Sequence, residues 1–151
     1  MNADLAARVN HLNVEWADYS VEPDRAVWLA CDFLIEGLDT PALRELAGES
    51  PTRLSRGDAT SLVRQFLDEL GIEPITGEQA DWFLGREAAL RILGGAPPSE
   101  WGDDAGRINM RMDDEDESVY VALALHDTNP NAYLAFVREY LRLAEAQLTG
   151  W

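Results

Sequence analysis

The residues from which chemistry could be built are few and mostly of one kind. The chain of 151 residues carries two histidines, one cysteine and 28 acids against 12 basic residues. A nucleophilic triad needs a Ser or Cys beside a His base. Cys31 lies in an apolar run, where a small buried hydrophobe is expected. His11 falls on the polar side of a first helix, and His126 stands next to Asp127. There is no Gly-x-Ser-x-Gly elbow. There is also no Gly-x-x-x-x-Gly-Lys or Gly-x-Gly-x-x-Gly cradle for phosphate, so Gly57 and Gly94-Gly95 read as turns and caps. No catalytic residue, metal ligand or cofactor is assigned on these grounds.

Two acid-based chemistries remain to be weighed. His126-Asp127 has the order of the central pair of metal-dependent phosphohydrolases, but holding that metal takes further His and Asp ligands and only His11 is left. A surface histidine near the end of an element is the plainer reading. The run Asp113, Asp114, Glu115, Asp116 and Glu117 suggests calcium, yet an EF-hand loop needs Gly at position six and Glu at twelve. Counted from Asp114, those positions hold Val119 and Leu125. Five consecutive acids repel one another and belong in solvent.

Charge limits the partners. A net charge of −16 repels nucleic acid and anionic membrane and favours encounter with basic molecules. All 12 basic residues are Arg, a composition that GC-rich coding produces, and no run approaches the length of a membrane span. The start Met1-Asn2-Ala3-Asp4 leads into mixed polar sequence without the basic and apolar regions of a signal peptide, so a cytoplasmic, bacterial-type setting is expected. One cysteine excludes an internal disulfide.

The elements that must position any site are helices. A hydrophobic content of 46% and a length near that of one domain predict a single acidic helical domain over 1–151. Leu5, Val9, Leu12 and Trp16 share one helical face, though the end of this helix carries no clear signal. Pro23 opens a second helix whose stretch Ala26–Ile35 is apolar almost all round, which predicts a central core position. Gly37 stops it. Thr40-Pro41 starts a short third helix that ends at Gly48, and 58–70 is the clearest amphipathic stripe, stopped by Gly71. Thr76 and Gln79 form a capping box for a helix that runs to Gly94. Asn129-Pro130 starts a last helix with a stripe of Tyr133, Phe136, Val137, Tyr140, Leu141, Ala144 and Leu148.

Residues 99–118 read as the least globular part, and 119–125 as a short helix or as one strand of a β-hairpin with Arg107–Met112. The fold class expected is therefore mainly α, an irregular bundle of five to seven helices, with room for one hairpin near 107–125.

Within the acidic region, Trp101, Asp103 and Asp104, with Asp113 to Glu117, make the candidate partner-binding set: an indole as anchor inside a charged rim. The alternative is that Trp101 plugs the core and the acids are only solvated.

The segment Leu34-Ile-Glu-Gly-Leu-Asp-Thr-Pro-Ala-Leu-Arg-Glu-Leu-Ala-Gly48, and Arg86-Glu-Ala-Ala-Leu-Arg-Ile-Leu-Gly-Gly95, resemble segments of small acidic uncharacterised proteins of GC-rich bacteria. Some of these look like immunity proteins that neutralise polymorphic toxins. The resemblance covers about a quarter of the chain, in ordinary helix-and-cap sequence. It carries no functional residue over and implies a helical protein with a binding role. Three functions follow as expectations. One is an acidic protein-binding module, immunity-like, occluding a basic protein partner. Another is a small metal-dependent hydrolase using clustered carboxylates and His126. The third is an adaptor or subunit of a larger complex, with the oligomeric state open.

Overall fold

A computed structural model describes residues 1–109 and 128–150. The described residues are mainly α, with seven α-helices and one short 3-10 turn, as a helical bundle requires. In chain order they are α1 (Ala3–Ala17), α2 (Pro23–Ile35), α3 (Pro41–Gly48), α4 (Arg56–Glu69), α5 (Gly77–Leu93), α6 (Gly102–Asn109) and α7 (Pro130–Gln147). They fall into two compact units, Met1–Gly77 and Glu78–Trp151.

Local chemistry explains most boundaries in the first unit. Asn2, Thr40 and Ser55 each accept a hydrogen bond from the third backbone N–H beyond them, at 2.8, 3.3 and 3.1 Å. Such caps contribute about 1 kcal/mol each. Pro23 and Pro41 occupy first-turn positions where no N–H is needed.

Three helices of this unit end in the same two-bond motif. Gly37 and Gly71 take positive φ after α2 and α4, and the paired bonds Leu38 N to Phe33 O and Ile72 N to Leu67 O close the ends. The end of α1 uses the motif too, with Ser20 N donating to Glu15 O at 3.0 Å and Tyr19 N to Trp16 O at 3.2 Å. Here the left-handed residue is Tyr19 (φ 59°), so the helix stops without its usual glycine signal.

The core of this unit is largely aliphatic. Leu5, Val9 and Leu12 of α1, Leu43 and Leu46 of α3, and Leu62, Val63 and Leu67 of α4 surround the stacked pair Phe33 and Phe66, whose ring centroids are 5.8 Å apart. Polar contacts fasten the chain after α4. Arg64 donates to Ile72 O at 2.6 Å and to Asn13 Oδ1 at 3.3 Å while its guanidinium lies over the Trp16 ring. Asn13, itself buried, donates to Glu73 O at 3.0 Å.

The second unit closes around rings. Trp101 and Tyr133 have centroids 5.7 Å apart, as do Trp82 and Tyr140. The expected stripe of the last helix is the buried one, with Tyr133, Val137, Tyr140, Ala144 and Leu148 inside. Asn129 caps that helix by accepting from Ala132 N at 3.2 Å. Close packing of α5 on α7 depends on Gly85, where a methyl would stand 1.9 Å from Tyr140 Oη.

In the stretch 99–125 the structure differs from the sequence reading at two points. Residues 99–109 are ordered rather than merely solvated: Trp101, Ala105 and Ile108, spaced i, i+4, i+7, turn one apolar side of α6 into the core. Arg107–Met112, the partner that a hairpin with 119–125 would use, begins as helix, because Arg107, Ile108 and Asn109 complete α6. Residues 110–112 and 119–125 lie outside the described residues.

Candidate protein-binding surface

The residues singled out from sequence do not share one surface role. Trp101 is only 3% exposed, and its Nε1–H donates to Ala96 O at 2.7 Å. The indole expected to anchor a partner is a core plug instead, because α6 has few other large apolar side chains to bury. Asp103 is exposed on the first turn of α6, where a carboxylate suits the helix N-terminus. Asp104 is half-buried and accepts from Arg91 Nη2 at 2.7 Å and from Arg91 Nε at 3.1 Å. That bond raises the Arg91 guanidinium above its ordinary value. Burial, with the Asp104 charge second, pushes the Tyr133 phenol up to about 12. Asp104 therefore belongs to the packing of its unit. Asp113, Asp114, Glu115, Asp116 and Glu117 lie outside the described residues, as does His126.

The other chemistry-bearing side chains are held structurally. Cys31 is half-buried, its sulfur 3.8 Å from Ala47 O. His11 Nδ1 lies 3.0 Å from Glu15 Oε1. Glu15 is buried and also bonded to Arg25, so its charge is matched. Among the described residues no group of three or more His, Cys, Asp or Glu side chains is placed to hold a metal ion. No described helix is long and apolar enough to cross a membrane. An open cleft of about 320 Å³ beside α3 and α4 is lined by Glu45, Glu49, Arg53, Asp58, Leu62 and Gln65. Its lining is polar and net acidic.

The surface that sequence reasoning missed is on α2. The apolar run Ala26–Ile35 was expected to be buried all round. Its inner side, Ala26, Val27, Ala30 and Phe33, is buried in the core with α3 and α4 side chains. Its outer side is not covered: Trp28 is 63% exposed and Ile35 83%. A helix on a small core buries one stripe, and α2 carries more apolar surface than that stripe needs. Asp24 and Asp32 are exposed one turn before and one turn after Trp28. The signal is present in the spacing: Asp24, Trp28 and Asp32 form one i, i+4 row, and Asp32 is the one charged residue within Ala26–Ile35.

Charge pairing is uneven across the surface. Eight arginines, Arg8, Arg25, Arg44, Arg56, Arg64, Arg91, Arg107 and Arg142, lie within ion-pair distance of an acid of their own unit. The hydrogen bond from Arg44 holds Asp39 below the usual carboxylate range, and that from Arg142 does the same to Glu139. Asp24, Asp32, Glu45 and Asp103 are exposed and take part in no ion pair among the described residues. What the molecule offers outward is therefore mainly negative. No family model, curated protein or solved structure matches the chain.

Proposed function

We propose that this protein is an acidic protein-binding module that covers a basic protein partner, in the manner of an immunity-type inhibitor occluding a toxin domain. The observation that carries this reading is the uneven pairing of charge. The described arginines are largely matched within their own unit, whereas acids such as Asp24, Asp32 and Asp103 are left for an outside partner. With 28 acids against 12 arginines, the field steers basic surfaces inward and turns anionic ones away. Occlusion needs no catalytic group: a docked partner loses access to its own substrate once its basic face is covered.

The test is retention from the native lysate on the tagged protein, at low and at moderate salt. One basic protein held in stoichiometric amount and released as salt rises is the expected result, since exposed charge is screened. Retention of nothing, or only of acidic proteins, would remove the reading. Replacing Asp113, Asp114, Glu115, Asp116 and Glu117 by their amides is expected to slow association with that target and flatten its salt dependence. Unchanged on-rates at low salt would exclude that run from steering.

A further inference from the structure

We infer that the outward side of α2 is the docking surface, and that its occupant is a basic amphipathic helix of the protein partner; this rests on the function proposed above. Two large apolar side chains, Trp28 and Ile35, stand exposed seven residues apart. That spacing is two helical turns, about 10 Å along the axis, on one side of the helix. Neither side chain is required by its own unit, whose core is closed by the opposite side of α2. Exposed tryptophan flanked by polar residues is the usual composition of a binding anchor.

The charges around this strip select the partner. Asp24 and Asp32 bracket Trp28, about 12 Å apart along α2, and neither has an ion pair among the described residues. The neighbouring cations are already matched: Arg25 by Glu15, and Arg8 by Asp4 and Glu36. The strip therefore alternates carboxylate, indole, carboxylate and isoleucine from Asp24 to Ile35. A complementary strip presents a cation, an apolar side chain and a second cation about two turns on. A helix with Lys or Arg on the borders of an apolar stripe has that pattern. A cation against the Trp28 ring adds attraction of its own. A second copy of this chain has the opposite chemistry, because a symmetric α2–α2 contact brings these same acids together on molecules of charge −16.

The probe is a synthetic helical peptide of about three heptads, with Leu on one face and Lys on its borders. Binding is measured by calorimetry at low salt. Wild-type protein should bind it. The double variant Trp28→Ser, Ile35→Ser should bind at least about tenfold more weakly, as removal of an anchor does. Asp24→Asn with Asp32→Asn should weaken binding by a smaller factor and reduce its salt dependence. Leu90→Ser with Leu143→Ser, exposed apolar residues of the other unit, should bind as wild type does. All the substituted side chains are exposed, and an unchanged thermal midpoint verifies the fold. Equal binding by the Trp28 and Ile35 variant overturns the inference, as does binding of a peptide with Glu in place of Lys. A dimer of the wild type in sedimentation that dissolves in this variant replaces the peptide by a second copy, and also overturns it. Lysate retention separates this inference from the reading beneath it. A basic protein held by wild type and lost by the variant supports both. The same protein held equally by both variant and wild type discards only the α2 surface, and nothing held by either discards both.

Discussion

The unit Met1–Gly77 fills its core with aliphatic side chains around one Phe33–Phe66 contact, whereas Glu78–Trp151 closes around Trp82, Trp101, Tyr133 and Tyr140. Their tryptophans have opposite fates. Trp28 sits in the most apolar run of the chain and points outward; Trp101 sits among acids and is buried. In the first unit, four helices with long aliphatic stripes already cover one another, and an additional ring on α2 finds no facing groove. In the second, the eight-residue α6 has only Ala105 and Ile108 to bury, and the preceding Trp101 supplies the volume that holds it down. Burial follows what the facing helix lacks, not how apolar the local sequence is.

That contrast makes the largest prediction. Trp101→Ala is expected to destabilise the protein by about 3–5 kcal/mol, through lost burial and the cavity left behind. Trp28→Ala is expected to change stability by less than about 0.5 kcal/mol, as substitutions of exposed residues do. Chemical denaturation of the two variants compares them directly, and similar losses for both would erase the distinction between the units.

A second comparison concerns glycines. Gly85→Ala is expected to cost about 1–3 kcal/mol by overpacking against the buried Tyr140, although alanine is the better helix former by about 1 kcal/mol. A raised thermal midpoint for Gly85→Ala would mean that α5 and α7 do not approach as closely as described. The first unit shows the reverse case. Tyr19→Gly is expected to stabilise the protein by about 1 kcal/mol, because a left-handed backbone conformation strains every residue but glycine. The tyrosine ring is 84% exposed, so little packing is lost with it. A lower midpoint for this variant would show that the ring has a contact that offsets the strain.

The helices were legible where their ends carry local signals. Pro23, Thr40-Pro41, Gly37, Gly71 and Asn129-Pro130 all mark observed boundaries, and the stripes of α4 and α7 are the buried ones. The end of α1 was not legible, since Tyr19 takes a conformation that sequence assigns to glycine. The candidate site was legible in charge but not in place. Trp101 stands among acids in the sequence, while the i, i+4, i+7 spacing of Trp101, Ala105 and Ile108 is that of a core-facing side. On α2, continuous apolarity suggested burial all round, and the row Asp24, Trp28, Asp32 marked the uncovered side.

By itself the sequence determined that this chain is helical, strongly acidic and divided by caps and glycines into short segments. Each of those properties depends on a residue and its neighbours within one turn, or on a sum over the chain. Only the tertiary structure decided which tryptophan is inside, which acids keep an arginine and which remain open to a partner. Those outcomes depend on the helix across the core, whose distance in sequence no local pattern records: Asp104 is held by Arg91 of α5, and Trp28 is left bare because α3 and α4 cover only the other side of its helix.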